Sequence, residues 1–171
     1  MSYRNKTYVA FASEDIKYYR LMTAWCENDK FAFDFHDAHD INEALDTSQP
    51  ETIRRRLRER LANTKQVIVL GSAQCKTKAA KSSSFFYYEI ETISKLNLPV
   101  VIANLDGDRK VDKNFIPQRF LDDDYLTLSV SFQVKIIQHA LDEWVPGWAK
   151  STNMGPYQYN PSVYKDLGMD T

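Results

Sequence analysis

The chain has 171 residues, the length of one ordinary domain, and a single core of that size can bury most of its apolar side chains. Its 22 basic and 23 acidic residues nearly cancel, so no overall field attracts nucleic acid or an anionic membrane. The amino terminus lacks the apolar stretch of a secretion signal, and no segment is apolar over the length that spans a bilayer. We therefore expect a cytoplasmic protein that uses neither nucleic acid nor a membrane as a partner.

The two cysteines, Cys26 and Cys75, lie far apart and outside any CxxC pattern. Their number and spacing indicate neither a disulfide framework nor a zinc site. We expect two ordinary thiols that are buried or half-buried, as free cysteines in a reducing compartment usually are.

Short apolar runs rich in β-branched and aromatic residues recur along the chain, and their length and composition predict β-strands. The third and fourth runs lack alternation of polar and apolar residues, which is typical of strands buried on both faces of a parallel sheet. The fifth run is weaker than the others. In chain order the runs cover residues 7–12, 31–35, 67–70, 100–103 and 125–128.

Segments with helical periodicity separate these runs and supply the crossovers that parallel strands require. We expect a first helix over residues 15–26, a second that begins at Ser48, a third that begins after Ser84, and a last one over residues 132–144. The sequence thus predicts an α/β fold of three layers, in which helices flank a five-stranded, mainly parallel sheet.

The tail that follows the last predicted helix is rich in Tyr, Pro, Asn and Gly and shows no helical or strand period. Disordered tails are usually poor in aromatic residues, so Tyr157, Tyr159 and Tyr164 indicate that this tail lies against the domain or a partner. We accordingly divide the chain into a domain at residues 1–145 and a carboxyl-terminal extension at residues 146–171.

In an open parallel sheet, ligands bind at the carboxyl ends of the strands. The loops there contain no GxGxxG, GKS or GKT motif, which excludes a dinucleotide-binding Rossmann turn and a P-loop. The loop after the second predicted strand is rich in groups that could surround a divalent metal. The same composition is typical of a polar, turn-rich loop or of contact with a polar ligand, and we expect no metal. The residues are Asp34, His36, Asp37, His39 and Asp40.

The second predicted helix carries five arginines, dense enough to suggest phosphate binding, at positions 54, 55, 56, 58 and 60. Glu51 and Glu59 lie four residues on either side of Arg55, which is the spacing of supporting ion pairs. This pattern favours a solvent-exposed face over a phosphate-binding or partner surface.

The segment that opens the third predicted helix combines a carboxylate with aromatic side chains. Glu89 follows the aromatic run of residues 85–88 and lies about one turn into the helix, where the helix dipole stabilises an anion. On position alone, the sequence favours an exposed first-turn glutamate.

Three segments in this order resemble the toll/interleukin-1 receptor (TIR) domain superfamily, in its bacterial TIR-like branch that includes the sensor proteins of Thoeris antiphage defence. The segments are residues 8–15, residues 67–72 with Lys78 after them, and residues 85–90. The similarity extends over about residues 6–144. It implies a flavodoxin-like fold, which agrees with the α/β pattern derived from the strands and helices.

In catalytic TIR domains, a glutamate of this helix, commonly four residues after an aromatic residue, acts on NAD. Phe85 and Glu89 have that spacing, so the resemblance implies that Glu89 is the catalytic residue and that Phe85 lies at the substrate. The chain departs from the family because Phe85 stands where many members have tryptophan, and because the loop after the second predicted strand is long and polar.

The resemblance also implies which other residues line the substrate site. Phe11, Ala12 and Ser13 would line it from the first loop, and the Ser13 hydroxyl would donate to a phosphate or ribose oxygen. Serine is also a preferred helix N-cap, which is the alternative role for Ser13. His36 and Asp37 would lie at the rim.

The implied activity is that of an NAD+ glycohydrolase or ADP-ribosyl cyclase, with NAD as its substrate and without a cofactor. A cyclic ADP-ribose product would be a diffusible signal that activates a separate effector after an unknown phage trigger. The alternative is a non-catalytic TIR scaffold that acts by self-association. A receiver-like domain is disfavoured because its third strand would end in aspartate, whereas this one ends in Leu70-Gly71-Ser72.

Overall fold

The computed structural model describes residues 7–28, 49–122, 124–151 and 154–169. Within them, parallel strands form one sheet in the order β1-β2-β3-β4-β5, which confirms the predicted α/β fold with a five-stranded parallel sheet. The strands are β1 (Thr7–Ala10), β2 (Gln66–Gly71), β3 (Val100–Asn104), β4 (Thr127–Ser131) and β5 (Pro156–Gln158).

The helices of the described residues are α1 (Ile16–Glu27), α2 (Pro50–Leu61), α3 (Ala73–Ala79), α4 (Phe85–Lys95), α5 (Val134–His139) and α6 (Pro161–Asp166). Helix α5 continues through a π-helical turn at Ala140–Trp144 and a 3-10 turn at Val145–Lys150. In this part of the chain, no helix is both long enough and apolar enough to cross a bilayer.

Alternate residues of each strand point to opposite sides of the sheet, and each side has its own apolar core. Tyr8 and Ala10 belong to the core that also contains side chains of α2, α3 and α4, and we call this side the α4 face. Val9 and Phe11 belong to the core that contains side chains of α1, α5 and α6, the α1 face. Helices therefore cover the sheet on both sides, in three layers.

Helix α4 begins at Phe85, where the sequence predicts the start of the third helix. The Ser84 hydroxyl accepts a hydrogen bond from the Phe86 amide at 3.1 Å, which is an N-cap contact. Ile90 and Ile93 are buried on the α4 face. Asn97 follows the helix with a φ of 52°, a left-handed conformation that asparagine tolerates better than most residues.

Several expectations for the segments around α2 and α3 need correction or fall outside the described residues. The strand expected at residues 31–35 and the helix start at Ser48 lie outside them, and α2 begins at Pro50 with Gln49 as its N-cap. Helix α3 occupies a segment for which the sequence predicted no helix. Its seven residues are too few to show a period, and its start depends on the Ser72 hydroxyl, which accepts from the Cys75 amide at 3.0 Å.

The arginine-rich face of α2 is exposed as predicted at positions 55, 56, 58 and 60, but Arg54 is half-buried. Its Nε lies 3.3 Å from Glu91 Oε1, and its guanidinium carbon lies 5.2 Å from the centre of the Tyr88 ring. Both contacts reach α4, so Arg54 joins the two helices. The expectation of a wholly solvated face is wrong at this position, because α4 packs against that edge of α2.

Both cysteines lie among the described residues and form no disulfide, and Cys75 is buried and Cys26 half-buried, as expected. The tail differs from its description as lacking regular structure, since it contains β5 and α6. Strand β5 has only three residues, so its pairing with β4, rather than any sequence period, defines it. Tyr164 of α6 is 0 % exposed, its hydroxyl accepts from the Ser131 amide at 3.2 Å, and the Arg109 guanidinium carbon lies 4.2 Å from its ring centre.

Replacing Tyr164 with alanine should cost about 3–5 kcal/mol of the free energy of unfolding, because it leaves a cavity in the core of the α1 face. Tyr157→Ala, at a tail residue that is 44 % exposed, should cost less than about 1 kcal/mol. Urea unfolding of both variants and the parent protein gives the comparison. Equal costs for the two substitutions would contradict the described packing of α6.

Candidate functional site

Helix α4 carries the Glu89 side chain into the interior of the protein. Phe86, Ile90 and Ile93 are buried on the α4 face of the sheet, and helical spacing brings Glu89 to the same side of the helix. Glu89 is 1 % exposed. The interpretation as an exposed first-turn glutamate is therefore wrong, because this turn of α4 lies against the sheet rather than in solvent.

Strand β1 supplies a hydrogen-bond donor to this carboxyl group. Tyr8, also 1 % exposed, donates its hydroxyl to Glu89 Oε2 across a separation of 81 residues. Tyr8 is held in register opposite Val67 of β2, and its side chain belongs to the same apolar core as Phe86 and Ile90. From the sequence, Tyr8 was predicted to lie in the first strand and in the first segment that resembles TIR domains, with no role at the site. The available signal was the alternation of side chains along β1, which places Tyr8 and Ala10 on one side of the strand.

Burial in an apolar core raises the pKa of both Glu89 and Tyr8. It raises the pKa of Glu89 to about 8, and the Tyr8 hydroxyl opposes this rise because it donates to the charged form. Burial also raises the pKa of Tyr8 well above its ordinary value, and the nearby Glu89 carboxylate adds to that rise. At neutral pH, Tyr8 therefore keeps its proton, and the protonated acid is the main form of Glu89.

Phe11 and Ala12, expected to line the site, are buried at the carboxyl end of β1. The Phe11 ring stacks on Tyr19 of α1, with ring centres 4.8 Å apart, in the core of the α1 face. Tyr8 and Glu89 meet on the opposite side of the sheet. The structure thus does not bring the Phe11 ring next to Glu89, because the sheet separates the two side chains.

Ser13 lies in a 3-10 turn at Ser13–Asp15, for which Ala12 is the N-cap residue, so the alternative role of Ser13 as an N-cap is wrong. Its exposed hydroxyl donates to Glu14 Oε1 at 2.9 Å. The same turn is tied to the end of β2, because the Ser72 hydroxyl donates to Asp15 Oδ2. Burial raises the pKa of Asp15, and the bond from Ser72 opposes this rise. The loops after β1 and β2 are thus joined at the carboxyl edge of the sheet, a contact the sequence analysis did not anticipate.

Phe85 is half-buried at the start of α4, in a small cluster with Ile53 and Leu57 of α2 and with Tyr88. It precedes Glu89 by four residues and so lies on the neighbouring part of the same helix side. The cluster fixes Phe85 between α2 and α4. Its ring therefore borders the helix turn that carries Glu89.

The rim residues expected at His36 and Asp37 lie outside the described residues, as do Asp34, His39 and Asp40 of the same loop. Among the described residues, a group of carboxylates comes close together after β3, with oxygen atoms within 4.8 Å of one another. Each of its members accepts a hydrogen bond from a backbone amide two residues further along, at 2.9–3.0 Å, which is an ordinary turn contact. The members are Asp106, Asp108 and Asp112.

A comparison with known protein families shows the family of the chain. The family described as Thoeris protein ThsB, TIR-like domain, matches residues 8–110, more than half of the chain. No curated protein matches the chain. The matched span begins at Tyr8 and extends beyond β3, so it includes both partners of the contact between Tyr8 and Glu89.

Glu89→Gln should stabilise the protein at alkaline pH. The folded state binds the Glu89 proton more tightly than the unfolded chain, in which glutamate titrates near 4.3, so the wild-type carboxyl loses stability as the pH rises from there toward 8. Glutamine resembles the protonated acid and does not titrate. The stability difference in favour of Glu89→Gln should grow by up to about 1.4 kcal/mol per pH unit across this window.

Urea unfolding of wild type and Glu89→Gln at pH 5, 6.5, 8 and 9 measures this difference. Glu91→Gln, at a half-buried glutamate of the same helix that pairs with Arg54 and Lys95, is the control for a change of charge on α4. A stability difference between wild type and Glu89→Gln that stays constant from pH 5 to pH 9 would show that Glu89 is not buried as described.

Proposed function

Because the chain belongs to the family of TIR-like domains of the Thoeris protein ThsB, which serves antiphage defence, we propose that it is an NAD-consuming enzyme. The proposed reaction cleaves the bond between nicotinamide and ribose, and Glu89 is the proposed catalytic residue. The observation that carries this proposal is a single carboxyl group, held in an apolar interior by a hydroxyl donor from a neighbouring strand. Such burial shifts the protonation of a group, and strongly shifted groups concentrate at functional sites.

The chemistry of the bond determines what the carboxylate does. When the bond breaks, its electron pair goes to nicotinamide, and positive charge develops on the ribose as in other glycosyl transfers. A carboxylate beside the ribose offsets that charge and stabilises the transition state more than the ground state. Nicotinamide leaves as a neutral molecule, so the reaction needs no general acid. We therefore assign Glu89 an electrostatic role, with hydrogen bonds to the ribose hydroxyls that fix the sugar.

Burial of Glu89 makes this role both effective and conditional. Charges interact more strongly in a medium of low dielectric constant than in water, so an ionised Glu89 stabilises the developing charge strongly. The same burial favours the neutral acid when the site contains no substrate. The nicotinamide ring of NAD carries a positive charge, and a nearby positive charge lowers the pKa of a carboxyl group. Binding of NAD thus promotes the ionisation that catalysis requires.

The attacking group decides the product. Water gives ADP-ribose, whereas attack by a hydroxyl or adenine nitrogen of the same molecule gives a cyclic ADP-ribose. A closed site that excludes water favours the cyclic product. We propose that the protein makes a cyclic signal of this kind, which diffuses to a separate effector protein, and that NAD is its substrate without a cofactor.

Access to Glu89 is the step at which a trigger can act. The residue is 1 % exposed, so NAD can contact it only after the side chains that cover it move. Contact with a phage component or with a second copy of the chain could supply the energy for that movement. The proposed enzyme is thus latent in its resting state, and its activity depends on the trigger or on protein concentration.

The test of this function is incubation of NAD with concentrated protein, followed by chromatography and mass analysis of the products. Wild type should release nicotinamide, and folded Glu89→Gln should release it about 10²–10³ times more slowly, the usual effect of removing one electrostatic stabiliser. Glu91→Gln is the matched control on the same helix and should be close to wild type. The second product distinguishes cyclase from hydrolase.

Two outcomes would contradict the proposal. Equal nicotinamide release by wild type and Glu89→Gln would remove Glu89 from the catalytic role. No release by any variant, even in lysate from infected cells, would favour the non-catalytic scaffold that acts by self-association.

The proposed reaction should also proceed without a metal ion, because the electrostatic role is assigned to a carboxylate. Nicotinamide release should be unchanged when EDTA is present at millimolar concentration. Loss of release in EDTA, restored by a divalent ion, would instead assign a metal role to the protein, with the loop of His36 and His39 as the first place to mutate.

A further inference from the structure

We infer that Tyr8 is a positioning residue for Glu89, whose hydroxyl fixes the carboxyl group and favours its ionised form. The inference rests on the proposed function of Glu89 and adds a residue from a different element of the fold. It follows from the geometry of β1 and α4 and from the chemistry of a hydroxyl donor beside a carboxylate.

The position of the Tyr8 hydroxyl is fixed at both ends of the side chain. The backbone of Tyr8 lies in β1, paired with Val67 in β2, and its ring lies in the apolar core that contains Leu61, Phe86 and Ile90. A ring that is 1 % exposed in a packed core has little freedom to rotate. The hydroxyl therefore stays at the Glu89 carboxyl, and it limits the orientations that the carboxyl can adopt.

A hydroxyl donor distinguishes the two protonation states of the acid. A hydrogen bond to a carboxylate is stronger than one to a neutral carboxyl group, so the Tyr8 hydroxyl stabilises the anion more than the acid. Burial and the neighbouring carboxylate keep the pKa of Tyr8 well above its ordinary value, so the hydroxyl remains a donor. The hydrogen bond from Tyr8 lowers the pKa of Glu89 against the effect of burial.

Other charged and titratable groups near this contact act on Tyr8 or are engaged elsewhere. Arg60 of α2 lowers the pKa of Tyr8, and Tyr19 of α1 raises it slightly. The arginines at positions 55, 56 and 58 of α2 are exposed, and the Lys76 ammonium of α3 donates to Gln118 Oε1 at 3.3 Å. Three other cations on elements that pack against α4 form ion pairs with other carboxylates. These pairs are Arg54 with Glu91, Lys78 with Glu14, and Arg119 with Asp122 and Asp124.

Removal of the Tyr8 hydroxyl should change the pKa of Glu89 in one direction, upward. In Tyr8→Phe, the burial of Glu89 is retained but the donor is lost, so the pKa of Glu89 rises further. If catalysis needs the ionised carboxyl, activity increases with pH, and the midpoint of that increase should move up by about one pH unit or more. The loss of kcat/KM should be about tenfold or more at pH 7 and should become smaller toward pH 10.

A matched control removes a different buried hydroxyl from the same layer. The Tyr125 hydroxyl donates to the backbone oxygens of Leu98, at 2.6 Å, and Ile93, at 3.3 Å, at the far end of α4. Tyr125→Phe thus disturbs the packing of the helix without touching Glu89. Its pH profile should have the wild-type midpoint, whatever its overall activity.

The pH dependence of kcat/KM for NAD, measured for wild type, Tyr8→Phe and Tyr125→Phe, tests the inference. A midpoint that moves upward only in Tyr8→Phe supports it. A loss in Tyr8→Phe that is equal at all pH values overturns it, since a purely structural defect has that effect. Site-specific 3-fluorotyrosine at position 8 retains the shape of the ring and makes the hydroxyl a stronger donor, so the midpoint should then move down.

A second measurement separates failure of this inference from failure of the proposed function. The side-chain carboxyl of Glu89, labelled with ¹³C and assigned by its loss in Glu89→Gln, can be titrated by NMR without NAD. A higher midpoint in Tyr8→Phe than in wild type supports the coupling of the two residues, even if no preparation cleaves NAD and the proposed function fails. Equal midpoints overturn the coupling, even if NAD cleavage is established.

Discussion

The candidate site depends on the burial of one carboxyl group, that of Glu89. A carboxylate in an apolar core is unfavourable unless it is paired, hydrogen-bonded or protonated, and Glu89 combines a hydrogen bond with a raised pKa. This arrangement needs β1 and α4 in fixed relation, because the donor and the acceptor lie 81 residues apart in sequence. The parallel pairing of β1 with β2 and the packing of Ile90 and Ile93 against the sheet supply that relation.

The alternation of side chains along β1 separates Phe11, which was expected at the site, from Glu89. Tyr8 points to the α4 face and reaches Glu89, whereas Phe11, three residues later, points to the α1 face and stacks on Tyr19. At the carboxyl end of the strand, the exposed Ser13 hydroxyl and the bond between Ser72 and Asp15 bring two loops together. These polar groups therefore lie at the sheet edge, apart from the buried carboxyl group.

The sheet extends beyond the span that matches the family. That span ends at residue 110, but β4 pairs with β3, and β5 pairs with β4 in turn. Tyr164 from the tail lies in the core of the α1 face. Arg109 contacts the tail twice: its guanidinium group lies over the Tyr164 ring, and it donates a hydrogen bond to the Met169 carbonyl at 3.0 Å. The carboxyl-terminal segments thus extend the sheet that holds the candidate site and pack, through Tyr164, on the side of the sheet opposite Glu89.

The sequence by itself determined the α/β class, most of the core strands and the position of α4, because unbroken apolar runs and helical periodicity are local properties. Resemblance singled out Glu89, but its burial, its bond to Tyr8 and the opposite orientation of Phe11 were decided only by tertiary structure. The same is true of β5 and α3, which are too short to show a period. These features share one physical reason. Each depends on which distant segments contact one another, and local residue spacing does not determine how a helix is rotated against a sheet.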